Sequence, residues 1–380
     1  MWIAAAAAGL LVLVTGIVPW HQATQVGGQV GPVLLFLVGI TLVAELADSA
    51  GVFDAAAALA ARLGAGSVRR LFALVVALAT ATTLVLSLDT TAVLLTPVVL
   101  SLAARLEISP LPFAMAAVWL ANTASLLLPV SNLTNLLAMR TLGLTVTGFA
   151  ARMWLAAVLS IAVTVLVLTV RYRRELRGTY LIPEREPIDD RVLFIASSAV
   201  CLAVGPLFVA GLNVAVVACS GAGILMVLFA VRRRDALRFG LVPWRLVLLV
   251  FGLFLVVRAG QDHGLDRVLT DAAGGSASAL GLARMAGLSA GAANLVNNLP
   301  AFAALQPVAD SSVPRMLALL VGVNLGPLIL LWGSLATLLW RERCAARGVQ
   351  ISARQFAAVG VAGVPLLLAA AVLGLVVAGS

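Results

Sequence analysis

The chain has 380 residues, of which 62% are hydrophobic and only 11% are charged, and its mean hydropathy is +1.11. Soluble domains carry about a quarter charged residues, so this composition excludes a soluble globular protein. The formal charge of +9 does not indicate nucleic-acid binding, because all 25 basic residues are arginines in short segments between apolar runs.

Apolar runs of about 20 residues, enough to cross a bilayer as a helix, follow one another along the chain. The sequence therefore predicts an all-α polytopic membrane protein. The first run is interpreted as a retained helix rather than a signal peptide, because it lacks a basic segment before it. The predicted spans cover residues 3–20, 31–53, 111–139, 149–171, 192–211, 213–231, 244–259, 314–340 and 355–378.

Two further apolar stretches, 71–104 and 272–309, are too long for one span and barely long enough for two. Polar residues interrupt both near the middle. We expect each stretch to be a re-entrant hairpin, with the two tips at Asp89 and Asn297 approaching each other near the membrane midplane.

The arginines predict the orientation. If both stretches are hairpins, nineteen of the 25 arginines fall on one side, which the positive-inside rule makes cytoplasmic in the inner (plasma) membrane. This side includes the solvated linker 172–191. The first hairpin then enters from the cytoplasm and the second from outside, as inverted repeats require.

The amino-acid sequence also contains an internal repeat. A shift of 202 residues lays Asn122 on Asn324 and Ser131-Asn132 on Gly333-Ser334. We therefore expect a first inverted repeat at 1–171, the linker at 172–191 and a second repeat at 192–380.

Polar backbone breaks inside apolar segments predict the functional site. Non-helical backbone at membrane depth survives only when it is buried in protein or lines a wet cavity. Four breaks, two per half, indicate one shared cavity lined by neutral donors and acceptors. The candidate binding residues are Asp89, Thr90, Thr91, Ser131, Asn132, Asn297, Asn298, Gly333 and Ser334, with support from Asn122, Asn324 and Thr337.

Asp89 is the one carboxylate inside the first hairpin, whereas Glu45, Asp48 and Asp54 lie toward a helix end. It is therefore the predicted coupling residue. The alternative is that the polar residues only hold helices together. The three cysteines and two histidines, His21 and His263 in predicted loops, form no catalytic or metal-binding spacing, so no enzyme activity, metal or cofactor is predicted.

The broken segments resemble the arsenical pump membrane protein, the arsenite efflux permease of the ion transporter superfamily. The resemblance covers residues from about 5 to the end. It is carried by LDTTAVLLTPVVL (88–100), ANTASLLLPVSNLTN (121–135), PWRLVLLVFGLFLVV (243–257), ANLVNNLPAF (293–302) and NLGPLILLWGSLATLLW (324–340).

This resemblance implies a scaffold domain and a transport domain that moves as an elevator. It implies export of arsenite or antimonite in exchange for a coupling ion, proton or sodium, or with a soluble ATPase subunit. Arsenous acid is uncharged at neutral pH, which suits a site of hydroxyls and carboxamides.

The chain also departs from the family pattern. The family has aspartate at the positions of Asn122 and Asn324, Asn-Asp-Gly where Leu88-Asp89-Thr90 stands, and lysine at Leu328. One N-terminal helix is expected to be missing. The alternative function is a sodium-coupled dicarboxylate carrier or a sodium/proton antiporter of the same superfamily, and a membrane enzyme or receptor is the least favoured class.

Overall fold

The computed structural model of the protein describes residues 2–183, 188–310 and 312–379. Within these ranges the backbone forms eighteen α-helices, short 3₁₀ and π segments, and no β-strand, apart from an isolated bridge between Ser67 and Thr179. Nine helical stretches there are long and apolar enough to cross a membrane. The predicted all-α polytopic class is confirmed, and part of the predicted linker, 184–187, lies outside the described residues.

The first half contains α1 (Trp2–Val14), α2 (Trp20–Ser49), α3 (Val52–Leu63), α4 (Val68–Val85), α5 (Leu88–Thr90), α6 (Thr96–Arg105), α7 (Leu111–Ala124), α8 (Leu133–Thr141) and α9 (Val146–Arg171). A π-helical segment, Thr91–Leu95, joins α5 to α6.

The second half contains α10 (Arg191–Val209), α11 (Val214–Arg232), α12 (Trp244–Asp262), α13 (Leu265–Ala273), α14 (Ala279–Val296), α15 (Asn298–Ala309), α16 (Val313–Leu325), α17 (Leu335–Ala346) and α18 (Ala353–Ala378). Three described helices, α1 to α3, precede the first hairpin, and four, α10 to α13, precede the second.

Two predicted boundaries at the N-terminus are wrong. The span predicted at 3–20 is a 13-residue helix ending at Val14, about 20 Å long and shorter than a bilayer core. Helix α2 begins at Trp20 rather than at residue 31, so His21 lies in its first turn and not in a loop. Hydropathy detects only the apolar part of a helix, so it does not detect the first turns of α2, which are polar.

The second hairpin also begins later than predicted, at Ala279 rather than residue 272. Gly274 takes a positive φ of 67° after α13, and Ser278 caps α14 by accepting a hydrogen bond from the Gly281 amide. A glycine in this conformation ends a helix at little steric cost. Helix α13 is therefore a separate element.

The arginine-rich segments lie together on one face, which is called the arginine face below. Hydrogen bonds join Arg233 to the Ser49 carbonyl oxygen (2.7 Å), Arg232 to the Asp190 carboxylate (2.8 Å), the Tyr180 amide to the Gly66 carbonyl oxygen (2.9 Å), and Arg347 to the Ser101 hydroxyl. The hydrogen bond from Arg232 holds the pKa of Asp190 below its usual range.

The two hairpins open toward opposite faces. In the first, formed by α4 and the arm α5–α6, the Val68 amide donates to the Gly178 carbonyl oxygen (3.2 Å), so its open end lies at the arginine face. The second hairpin is formed by α14 and α15. At its open end, the Arg315 side chain donates to the carbonyl oxygens of Gly274 and Val308. The Gln306 side chain of α15 donates to Thr141, which lies at the end of α8 away from the break. The second hairpin therefore opens at the face opposite the arginine face. The predicted inverted repeats are confirmed.

The packing repeats across the halves. Helix α1 packs on α12 while α2 packs on α11, and α9 packs on α18. Glycines lie at the α1–α12 and α2–α11 contacts. A Cβ on Gly9 would lie 2.7 Å from the Gly252 Cα, and one on Gly39 would lie 2.9 Å from the Ala218 carbonyl carbon. Small residues let membrane helices approach this closely. Exchanging the halves therefore preserves the helix contacts.

We expect Gly39→Ala to destabilise the protein by about 1–3 kcal/mol, because the added methyl must push the α11 backbone away. Gly223→Ala, on α11, is the matched control, since nothing lies within 4 Å of its added Cβ. Thermal unfolding of the detergent-solubilised variants measures both. Equal melting temperatures for the two variants would contradict close packing of α2 on α11.

Candidate functional site

The hairpin tips turn at two non-glycine residues in the same strained conformation. Ser87 has φ 144° and ψ 169°, and Asn297 has φ 87° and ψ 154°. Positive φ with extended ψ is essentially a glycine conformation, and holding another residue there costs on the order of 1–3 kcal/mol. The second tip is where the sequence predicted it. The first lies at Ser87, two residues before Asp89, because the Ser87 side chain accepts a hydrogen bond from the Thr90 amide and starts the returning arm.

The two broken helices are interrupted at corresponding places. Helices α7 and α16 begin at Leu111 and Val313, and α8 and α17 begin at Leu133 and Leu335, which reproduces the shift of 202 residues. Asn132 caps α8, and Ser334 caps α17. Short 3₁₀ segments, Pro129–Ser131 and Gly326–Leu328, lie within the two breaks.

One side of the site is a closed network, the amide cluster, formed by Asn132, Thr134, Asn135 and Asn324. The Asn324 Oδ1 accepts from Asn132 Nδ2 (2.5 Å) and Thr134 Oγ1 (3.3 Å), and its Nδ2 donates to Asn135 Oδ1 (2.9 Å). Asn135 Nδ2 in turn donates to the Ser125 carbonyl oxygen (2.7 Å). All four side chains are buried, and Asn132, Thr134 and Asn135 of the first half each bond Asn324 of the second half. The cluster therefore ties the two broken helices together.

The corresponding side, the open cluster, is formed by Asp89, Thr90, Thr91, Asn122, Ser334 and Thr337. The first hairpin arm, from α5 through the π segment, packs against both α7 and α17, which carry the other members. The hydroxyls are engaged: Ser334 bonds Thr337 (2.8 Å), and Thr91 bonds Thr83 (2.8 Å).

Two acceptors in the open cluster remain without a partner. The Asn122 Nδ2 donates to the Val118 carbonyl oxygen (2.8 Å), but the buried Asn122 Oδ1 accepts no hydrogen bond. The half-buried Asp89 carboxylate has no hydrogen-bond or ion-pair partner among the described residues. A buried acceptor without a partner is costly, and the Asn122 Oδ1 is such an atom, whereas the Asp89 carboxylate is only half-buried.

The electrostatics of the site come from the backbone. Four helical segments start at the breaks, with first residues Leu88, Leu133, Asn298 and Leu335, and a helix start carries partial positive charge. Asp89 is the formal charge among the candidate residues. In the part of the chain that the structure describes, no group of three His, Cys, Asp or Glu residues that could hold a metal ion is found.

The remaining candidates fasten each hairpin tip to the break of its own half. Ser131 Oγ donates to the Leu84 carbonyl oxygen (3.2 Å), Asn297 Nδ2 donates to the Trp332 carbonyl oxygen (3.0 Å), and the Asn298 amide donates to the Gly333 carbonyl oxygen (2.8 Å). These four candidates, Ser131, Asn297, Asn298 and Gly333, thus hold the tips in place.

Sequence reasoning left Asn294 out of the site. Its Nδ2 donates to the Gly326 carbonyl oxygen (2.7 Å), its Oδ1 accepts from the Leu330 amide (3.1 Å), and its carbonyl oxygen accepts from Trp332 Nε1 (2.7 Å). Asn294 therefore satisfies the unwound backbone of the second broken helix. The sequence feature that could have identified Asn294 is a carboxamide side chain one helical turn before the tip of the second hairpin.

Comparison with known proteins agrees with this architecture. A family model described as citrate transporter matches residues 1–337. The chain is 30% identical over 369 residues to the arsenical pump membrane protein of Escherichia coli (strain K12), covering 90% of this chain and 85% of that protein. It is 31% identical over 366 residues to the arsenical pump membrane protein of Yersinia enterocolitica, with the same coverage of 90% and 85%.

Among solved structures, the crystal structure of the Alcanivorax borkumensis YdaH transporter, described as having an unusual topology, matches with a TM-score of 0.61. The match covers 97% of this chain and 88% of that chain at 16% identity, and so shows the fold alone. With most of its length inside the family model and with two relatives at 30% identity or above, the chain belongs to the citrate transporter family, as a divergent multi-pass secondary transporter of the arsenical pump type.

Proposed function

We propose that the chain is an arsenite or antimonite efflux permease. The observation that carries this proposal is the pair of unpartnered acceptors, Asn122 Oδ1 and the Asp89 carboxylate, in a cluster without arginine or lysine. Arsenous acid is a neutral solute with three hydroxyl donors, and such donors would satisfy both oxygens. The arsenical pump proteins among its relatives support the same substrate class.

The second candidate is a sodium-coupled dicarboxylate carrier or a sodium/proton antiporter. The citrate transporter description of the family model favours it. A dicarboxylate would meet helix N-termini but also the unpaired Asp89 carboxylate, which repels it unless a cation binds first. This requirement places the dicarboxylate reading second.

We propose an elevator-type movement in which the hairpins and broken helices, α4–α8 and α14–α17, shift against the remaining helices. The amide cluster supports this division, because it joins the broken helices of the two repeats, 1–171 and 192–380, into one body. The Trp340 indole donates to the Ala114 carbonyl oxygen (2.8 Å) and adds a second link between them. The arginine face, with the linker 172–191, would be cytoplasmic in the plasma membrane. A proton or sodium gradient, or a soluble ATPase subunit, would drive export.

In bacteria lacking their own arsenite exporter, we expect expression of the protein to raise tolerance to arsenite and antimonite and to lower intracellular arsenic. Growth curves and elemental analysis of washed cells measure this. Cells carrying the empty vector are the control. No protection by a protein shown to reach the membrane would favour the second candidate, and citrate or succinate uptake by the same cells would then test it.

We expect Asp89→Asn to abolish transport driven by a pH gradient and to leave the protein folded, because the change removes an unpaired charge at nearly constant volume. Transport in proteoliposomes at varied pH gradients measures it. Solute exchange down its own gradient is expected to survive, and Asn122→Asp is expected to alter the pH dependence.

The matched control is Asp235→Asn, an exposed carboxylate next to Arg233 that should leave transport unchanged. Unchanged proton-driven transport in Asp89→Asn would move the coupling role to Glu45 or Asp48, which lie on α2 within electrostatic reach of Arg343.

The two corresponding asparagines should respond in opposite ways. Asn324→Leu leaves Asn132 and Asn135 without their buried partners and is expected to cost about 1–3 kcal/mol of stability. Asn122→Leu removes an acceptor that already lacks a partner, so stability should hardly change, whereas the apparent affinity for arsenite should fall roughly 5–10-fold. Melting temperature and transport kinetics are measured on both variants. A larger stability loss in Asn122→Leu than in Asn324→Leu would contradict the assignment of the open cluster as the binding side.

A further inference from the structure

A polar cavity of about 590 Å³, called the vestibule below, lies outside the helix breaks. Four helices enclose it: α2 and α12 on one side, and α8 and α15 on the other. It reaches Thr141 at the end of α8 and Asp310 just after α15, so it opens on the face opposite the arginine face. None of the candidate binding residues lines it.

The vestibule has the chemistry of a hydrogen-bonding site. Its polar lining includes four glutamines and two arginines: Gln22, Gln25, Gln261, Gln306, Arg140 and Arg258. Arg258 is engaged with the Asp262 carboxylate (3.3 Å), whereas the exposed Arg140 has no partner among the described residues. Carboxamides donate and accept, and a guanidinium donates to oxygen atoms in a fixed fork.

A single apolar layer separates the vestibule from the breaks. Val26, Val30, Val250 and Leu299 form this layer, and Leu133 and Phe254 pack against it. Leu133 directly follows Asn132, and Leu299 directly follows Asn298, so the apolar layer is adjacent to the polar breaks.

Helix geometry gives the depth of the layer. On α15 the residues Leu299, Ala303 and Gln306 run from the layer into the vestibule, and on α8 the residues Leu133, Leu137 and Arg140 do the same. Seven residues of helix rise about 10 Å, so the polar lining at Gln306 and Arg140 begins about two turns beyond the breaks.

We propose that the vestibule is the outer chamber through which the solute passes, and that the apolar layer is its closed gate. The chamber would bind a small hydroxylated oxyacid, neutral or singly charged, through Arg140 and the glutamine carboxamides. This inference rests on the proposed transport function. Helices α8 and α15 belong to the hairpin and broken-helix part, and α2 and α12 do not, so a shift between the two parts would open the layer.

Cysteine accessibility tests the chamber without relying on arsenite transport. The native Cys201, Cys219 and Cys344 are first replaced by serine, and single cysteines are then placed at Gln306 in the chamber and at Leu299 in the layer. A membrane-impermeant, charged thiol reagent is added to intact cells. We expect Gln306→Cys to react at least about tenfold faster than Leu299→Cys, because Gln306 lines the cavity and Leu299 is buried in the apolar layer. Equal rates, or reaction of Gln306→Cys only after permeabilisation, would overturn the proposal.

Ligand recognition is tested by Arg140→Gln, with Arg152→Gln as the matched control. Arg152 belongs to α9, donates to the Gly148 carbonyl oxygen (2.9 Å) and does not line the chamber. For solute added outside in an exchange assay, with arsenite and succinate as separate probes, Arg140→Gln should raise the apparent KM about tenfold and leave the maximal rate unchanged.

The two probes separate this inference from the proposed function. A KM effect with succinate and none with arsenite would keep the chamber and reject the arsenite assignment. Equal KM values for Arg140→Gln and Arg152→Gln with every transported probe would overturn ligand binding in the chamber.

Discussion

Every amide and carbonyl group of a chain in lipid needs a hydrogen-bond partner, and helices supply these partners except where they break. This protein breaks its helices at four places inside apolar sequence, so side chains from elsewhere must complete the backbone. Asn294 bonds Gly326 and Leu330 in the second broken helix, and Asn135 bonds the Ser125 carbonyl in the first. The breaks are therefore held by specific carboxamides, and the strained tips at Ser87 and Asn297 are retained because both are anchored to the neighbouring break.

The two inverted repeats place equivalent residues in two clusters, but the clusters are not chemically equivalent. Around Asn324 every carboxamide group is used, which makes that side rigid. Around Asn122 one carboxamide oxygen and the Asp89 carboxylate stay open. In the proposed mechanism, the amide cluster would join the helices that shift, and the open cluster would bind the solute. The difference arises because Ser334 and Thr337, at the positions equivalent to Asn132 and Asn135, bond each other instead of reaching across to α7.

The vestibule provides a second set of polar groups outside the breaks. Helices α8 and α15 begin at polar breaks, cross one apolar layer and end in a polar cavity. A solute that moves along them would exchange one set of hydrogen-bonding partners for another, with a single desolvated step between. In that proposal the apolar layer would keep water out of the breaks, and the apolar part of the path would be about two helical turns long.

The sequence by itself determined the membrane class, the inverted repeats and the position of both broken helices. These features are local, because apolar length, arginine placement and the Pro and Asn breaks are properties of short segments. The shift of 202 residues and the tip at Asn297 followed from the same kind of information. The tertiary structure alone decided that the first hairpin turns at Ser87 and that Asn294 completes the second broken helix. It also decided that Asn324 is satisfied while Asn122 is not. Whether a buried carboxamide has a partner depends on atoms far along the chain, since Asn132 meets Asn324 across 192 residues, and no local pattern records that meeting.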